Sequence, residues 1–261
     1  MQQKSKNNKE VDRMDELVPP VEMMFDGATS AEKFKDIGFG FTHYFLIEHA
    51  ELKPNEKILD VGCGIGQKAR VLTKYINQDG TYYGFDIVPM GIEWCKKNYS
   101  RYKNFHFQIA DVYNKHYNPG GTIRSSKYRF PYPEGLFDVV FASSVFTHML
   151  PQDMERYLEE IARVMKRKGR CVITYFLLNP ESLGGINART NIIEFPFDFN
   201  KRKCRIAKKD NPETTISYDE NFVRGLYMKK GLSITEISYG NWSGRKEYKG
   251  LLQDAIIAVK S

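Results

Sequence analysis

Asp60-Val61-Gly62-Cys63-Gly64-Ile65-Gly66 directly follows a short β-branched run, Lys57 to Val61, and directly precedes a helical pattern that begins at Gln67. Glycines spaced this way through a strand-to-helix turn permit a tight backbone path and the close approach of a ligand to main-chain atoms. Such a turn is a weak sign alone, because unligated turns also use glycine. Asp86 strengthens it. Its carboxylate closes the next strand, twenty residues after Gly66, where it can accept hydrogen bonds from both hydroxyls of a ribose. Together the two features imply a ligand that contains adenosine.

The turn also discriminates between adenosine ligands. A dinucleotide fingerprint wants Gly-x-Gly-x-x-Gly and offers its helix N-terminus to a pyrophosphate. Here the third glycine comes one residue early and Gln67 follows it. Asp60 at the head of the turn would repel a pyrophosphate, whereas it suits the ammonium group of a methionine tail. Asp111, in Ile109-Ala110-Asp111-Val112, can accept a hydrogen bond from an exocyclic amine such as that of adenine. Its alternative is a helix N-cap.

From Lys57 onward, short apolar runs alternate with helical patterns, the signature of βαβ units and a mainly parallel sheet. Strands are expected over Lys57 to Val61, Thr81 to Asp86, Phe105 to Ala110, Phe137 to Ala142 and Arg170 to Leu177, with helices over Gln67 to Ile76, Pro89 to Tyr99 and Pro151 to Met165. Two last strands, Ser233 to Tyr239 and Asp254 to Lys260, are joined by a loop too short for a crossover and should pair antiparallel. The expected fold is α/β and Rossmann-like, about seven strands with a C-terminal antiparallel hairpin. A polar arm over 1–20 precedes a single domain over 21–261, with insertions at 113–135 and 179–215 forming the acceptor side.

A chain of 261 residues can bury a full core, and no apolar run in it is long enough to span a bilayer. Cys63, Cys95, Cys171 and Cys204 form no Cys-x-x-Cys pair, so they read as reduced thiols of a cytoplasmic protein. The net charge of +7 raises the possibility of an anionic partner such as RNA. Lys166-Arg167-Lys168-Gly169 sits where a helix is expected to end, cations and a glycine suiting its C-terminus. The cluster Lys201 to Lys209 lies in a stretch without periodicity, as a solvated loop or a phosphate-binding edge.

In order and spacing, Asp60 to Gly66, Gly84-Phe85-Asp86, Ala110-Asp111-Val112 and Phe137-Asp138-Val139-Val140 resemble the class I S-adenosylmethionine-dependent methyltransferases, over roughly Leu52 to Leu178. The resemblance implies that Gly62, Gly64 and Gly66 line the methionine half of that cofactor, with Asp60 near its amino group. It implies that Asp86 holds the ribose, Ile87 packs on adenine, Asp111 with Val112 reads its edge, and Ser143 lies against the methionine moiety.

Methyl transfer from a sulfonium needs positioning, exclusion of water and, for a hydroxyl acceptor, removal of a proton. His148, a few residues past the fourth strand, is the candidate general base, with a structural hydrogen-bonding role as its alternative. Asp254 and His43 are the reserves. No His-x-His or acidic pair follows the fourth strand, where Ser143-Ser144 stands instead, so a mechanism without metal is expected. Trp242, Arg245 and Tyr248, between the last two strands, offer aromatic surface and an anion fork to the acceptor. The expected reaction is O-methylation of a sugar or another small hydroxylated metabolite, with RNA or a small amine as alternative acceptors. The oligomeric state is left open.

Overall fold

The computed structural model describes residues 16–201, 203–248 and 251–261. Most of the expected N-terminal arm therefore lies outside the described residues. The chain divides into two compact units, one up to Ala110 and one over Asp111–Ser261.

The first unit opens with helix α1 (Ala31–Gly40), started by Ser30, whose hydroxyl accepts from the amide of Lys33 at 3.1 Å. It runs straight into a π-helical segment, Phe41–His49. Then come strand β1 (Lys57–Val61), the short helix α2 (Gln67–Leu72), strand β2 (Thr81–Asp86), helix α3 (Pro89–Asn98) with proline in its first turn, and strand β3 (Phe105–Ile109). The three strands pair in parallel, Asp60 opposite Gly84 and Phe85 opposite Gln108. Asp60 and Asp86 are thereby held at the carboxyl ends of neighbouring strands.

In the second unit, strand β4 (Phe137–Ala142) and strand β5 (Met165–Tyr175) run parallel, joined through helix α4 (Pro151–Val164). Val139, Val140, Phe141, Ala142, Val172 and Ile173 are all buried, as strands covered on both faces require. Helix α4 puts Met154, Leu158 and Ile161 inside. Strand β6 (Leu232–Ser238) and strand β7 (Asp254–Lys260) form the expected antiparallel hairpin, and β7 also pairs antiparallel with β5, Asp254 opposite Tyr175. So β6 points the same way as β5, and the β6–β7 loop opens beside the carboxyl end of β5. Within the second unit the strands stand in the order β6-β7-β5-β4, and within the first in the order β1-β2-β3.

One expectation is corrected here. Helix α4 ends at Val164 with Met165 already extended, so Lys166 to Gly169 belong to the edge of β5 and not to a helix C-terminus. Phe137 pairs with Met165 while Val139 pairs with Arg170, which forces the intervening residues to bulge, with Lys168 at φ +60°. Lys166 finds a carboxylate across the ladder, its Nζ 2.6 Å from Asp138 Oδ1. The stretch 179–215 carries secondary structure of its own. It holds helix α5 (Pro180–Asn187), capped by Asn179, and an antiparallel pair, Phe197–Phe199 with Cys204–Ile206. That pair joins Ile216–Asp219 and Leu177–Leu178 in a small second sheet, and the basic cluster rides on its hairpin. Helix α6 (Glu220–Lys229) follows, capped by Asp219.

Candidate functional site

All three glycines of the turn adopt positive φ, +76° at Gly62, +56° at Gly64 and +86° at Gly66, a conformation that residues with a Cβ rarely take. The amides of Gly62 and Cys63 donate to the carbonyl of Phe85 at 2.9 and 3.0 Å, tying the turn to the end of β2. Asp86 fixes it from the same side. Its Oδ2 accepts from the amide of Gly64 at 2.8 Å and its Oδ1 from the amide of Val88 at 2.9 Å. A carboxylate has about four acceptor sites, so Asp86 retains capacity for a ribose. Ile87, the next residue, is half-buried.

Asp60 is almost wholly buried, and its Oδ2 accepts from the Tyr82 hydroxyl at 2.7 Å. Burial pushes its carboxyl up to about 7, against the opposing pull of Lys68 and the hydrogen bond from Tyr82.

A second layer covers the turn, built from residues of the N-terminal segment that the sequence does not single out. Ala28, Phe34 and Ile65 form a buried cluster, against which Met23, Met24, Phe25, Ile37 and Trp94 also pack. This packing lays the segment before α1 across the glycine turn. A Cβ on Gly64 would come within 3.1 Å of Asp26 Oδ2, and one on Gly91 within 2.9 Å of the Phe25 ring. Lys68, nearly buried, donates to Gln67 Oε1 at 2.9 Å. Nothing in the spacing of Met24-Phe25-Asp26 announces this contact, since it depends on how the chain returns.

Asp26 Oδ1, Thr42 Oγ1, Tyr44 Oη and Gln67 Nε2 are buried polar atoms without a hydrogen-bond partner in this first unit. Groups left so cost roughly 1–3 kcal/mol each unless a ligand or water satisfies them. Asp26 over Gly64 and Gln67 directly after Gly66 put an acceptor and a donor beside the positive-φ glycines, a set that fits the zwitterionic amino-acid end of S-adenosylmethionine.

In the second unit, Asp111 is exposed and both its oxygens are taken by Thr122, Oδ1 by the amide at 3.0 Å and Oδ2 by the hydroxyl. These bonds hold its carboxyl below the usual range. No helix follows it, so the N-cap alternative falls; the next residues, Val112 and Tyr113, pair instead with Ile123 and Arg124. Val112 is fully buried. Ser143 is half-buried just past β4, and Ser144 beside it takes φ +60° and donates its amide to Thr174 Oγ1 at 2.8 Å.

His148 lies in a short 3-10 turn, Phe146–His148, with Nδ1 3.1 Å from the carbonyl oxygen of Glu213. A carbonyl only accepts, so Nδ1 carries the proton and Nε2 is bare in the neutral ring. Burial lowers its pKa, opposed by the Glu213 and Thr214 carbonyls and helped by His116. The Tyr117 ring lies edge-on at 5.8 Å.

The expected acceptor-facing roles of Trp242 and Arg245 are corrected. Trp242 has no exposed surface; it packs on Phe176 and Phe195 at 5.5 and 5.4 Å and donates Nε1 to Asp254 Oδ2 at 2.7 Å. Arg245 is buried against Tyr239, pairs with Glu181 and donates to Asn179 Oδ1 at 2.9 Å. An indole in a core and a guanidinium so engaged present little surface to a substrate. Tyr248 is exposed. Asp254 accepts from Leu177, Gly240 and Trp242, which makes it an anchor of the β6–β7 loop and a poor reserve base. The other reserve, His43, stacks on Phe39 at 4.0 Å.

Residues 52–194 match the family model described as a methyltransferase domain. The chain belongs to the methyltransferase-domain family. It is a class I S-adenosylmethionine-dependent methyltransferase, an enzyme whose cofactor is S-adenosylmethionine. It is 26% identical over 138 residues to phosphoethanolamine N-methyltransferase 3 of Arabidopsis thaliana, covering 52% of this chain and 24% of that protein. It is 29% identical over 215 residues to 27-O-demethylrifamycin SV methyltransferase of Amycolatopsis mediterranei, covering 80% of this chain and 68% of that one. The chain thus spans only about a quarter of the plant relative's length. In fold it is similar to a SAM dependent methyltransferase from Aquifex aeolicus, with a TM-score of 0.51, 18% identity, and 88% and 98% of the two chains covered.

Proposed function

We propose that this methyltransferase methylates a hydroxyl of a small acceptor, a sugar or another polyhydroxylated metabolite, with His148 as general base. One observation carries the reading: the His148 ring gathers both insertions of the second unit. Tyr117 lies against it from 113–135, and Glu213 accepts from it out of 179–215. Those segments, with no place in the core pattern, then form the acceptor side. The bacterial relative named for an O-demethylated substrate also covers four-fifths of this chain.

Bound S-adenosylmethionine supplies a methyl group on a sulfonium. In this reading the backbone at Gly62, Gly64 and Gly66 and the carboxylate of Asp60 stand at its methionine half, with Ser143. Asp86 accepts from the ribose hydroxyls, Ile87 packs on adenine, and Asp111 and Val112 lie at its edge. His148 Nε2 takes the acceptor's proton while the neutral ring stays fixed through Nδ1. Among the described residues no group of three or more His, Cys, Asp or Glu side chains could hold a metal ion.

Small-amine N-methylation is the second reading, favoured by the likeness to the plant N-methyltransferase. RNA is less favoured, because the basic hairpin is used locally. Arg205 is 3.1 Å from Asp198, Lys203 lies over Phe222 and Lys209 over Phe197. Among the described residues no helix is long and apolar enough to cross a membrane. The four buried free thiols suit a reducing cytoplasm.

The test incubates the protein with an extract and methyl-deuterated cofactor and reads the labelled product by mass spectrometry. A labelled hydroxyl is expected; label on nitrogen or RNA would move the assignment. His148→Ala should lower kcat about 10² to 10⁴-fold with cofactor affinity nearly intact. Activity should rise with pH and level off below the ordinary histidine value of 6.5, since burial lowers the His148 pKa and only the neutral ring accepts a proton. Near-normal turnover of the variant, or an unchanged profile, excludes the role.

A further inference from the structure

The segment before α1 is docked on the glycine turn by an apolar cluster, yet the carboxyl of Asp26 within it is not consumed by the docking. Its Oδ2 lies over Gly64, and its Oδ1 is buried without a partner. Burial raises the Asp26 carboxyl against the opposing charge of Lys68, so an ionised Asp26 would welcome a second cation. Asp60 is a poorer receiver. It is almost wholly buried, its Oδ2 is occupied by Tyr82, and its carboxyl is pushed up to about 7.

Unpartnered donors accompany this acceptor. Gln67 begins α2 and Gly38 of α1 packs onto it, since a Cβ on Gly38 would meet the Gln67 carbonyl at 2.4 Å. Thr42 stands four residues past Gly38, at the start of the π-helical segment, and is fully buried. Both Gln67 Nε2 and Thr42 Oγ1 lack partners. Lys68 Nζ, 5.7 Å over the Phe41 ring, adds a positive charge beside them.

We propose that the N-terminal segment reads the amino-acid end of the cofactor: Asp26 receives its α-ammonium group, and Thr42 Oγ1 with Gln67 Nε2 donates to its α-carboxylate. A zwitterion presents one cation and one anion, and these residues supply one unpartnered acceptor and two unpartnered donors. Recognition of this end therefore lies partly outside the glycine turn, with Asp26 and Thr42 upstream of the matched family region at 52–194 and Gln67 within it. The inference rests on the cofactor assignment and is independent of the acceptor.

Calorimetry with three probes tests it: S-adenosylhomocysteine, its deaminated analogue that keeps the carboxylate, and 5′-methylthioadenosine, which lacks the whole amino-acid end. Asp26→Asn should weaken S-adenosylhomocysteine about 10-fold to 100-fold, the worth of a charged hydrogen bond, and leave 5′-methylthioadenosine within about twofold. It should not weaken the deaminated analogue. Thr42→Val should weaken both carboxylate-bearing probes and spare 5′-methylthioadenosine. Thermal unfolding of each ligand-free variant checks that it is folded, and Asp26→Ser replaces Asp26→Asn if that variant is not. Equal losses for all probes, or unchanged binding of S-adenosylhomocysteine, overturn the proposal. If the wild-type protein binds none of the three, the cofactor assignment itself fails.

Discussion

Asp86 serves the fold before it serves any ligand, because the amides of Gly64 and Val88 already donate to its two oxygens. Asp86→Ala should then act twice. It should lower S-adenosylhomocysteine affinity by about 1.5–3 kcal/mol and also lower the stability of the ligand-free protein, since buried amides lose their acceptor. Calorimetry and urea unfolding read the two effects separately, and unchanged affinity would place the ribose elsewhere. Asp60 makes a different prediction, on pH. Its folded-state pKa of about 7 stands above the ordinary 3.8, so the folded protein holds this proton more firmly than the unfolded chain. Its contribution to stability is thus full below pH 3.8 and is lost as pH rises to about 7. Asp60→Asn keeps an acceptor for Tyr82 and removes the titration, so it should gain stability relative to wild type on going from about pH 5 to about pH 8. A constant difference across that range would show that Asp60 does not carry this proton.

Strands β1, β2, β4 and β7 were readable to the residue, because alternating or continuous apolar runs bounded by turn residues leave little freedom. Helix α4 and the terminal hairpin were legible for the same reason. The β6–β7 loop shows where such reading stops: its place beside the carboxyl end of β5 followed from topology, but the inward turn of Trp242 did not. The indole fills a gap between Phe176 and Phe195 and caps Asp254, partners that lie 47 to 66 positions earlier or 12 later in the chain. Asp26 was illegible for a like reason, since it acts on a turn 38 residues downstream through packing alone. Trp242→Ala should accordingly behave as a core truncation. A loss of about 3–5 kcal/mol in urea unfolding is expected, with any fall in turnover following the fraction folded. Full stability combined with lost turnover would return Trp242 to the acceptor.

The whole chain carries a net charge of +7, yet its ligand turn is acidic. Asp26, Asp60 and Asp86 act electrostatically on one another there, with Lys68 as the opposing charge acting on Asp26 and Asp60. Global and local charge therefore favour opposite ligands, and the local one decides binding, because charges beyond about 8–10 Å are screened at ordinary ionic strength while buried ones are not. A dinucleotide would bring the two negative charges of its pyrophosphate against this turn. S-Adenosylmethionine brings an ammonium and a sulfonium. S-Adenosylhomocysteine keeps the ammonium and should stabilise the protein by about 2.7 kcal/mol at 100 times its dissociation constant, through mass action on the folded state. NAD at the same concentration should shift the melting temperature by nothing measurable. Raising the salt should weaken RNA association steeply if the basic hairpin binds it at all, and should leave the S-adenosylhomocysteine shift nearly constant, since its partners are buried. A shift produced by NAD and not by S-adenosylhomocysteine would reverse the cofactor assignment, whatever the net charge of the chain.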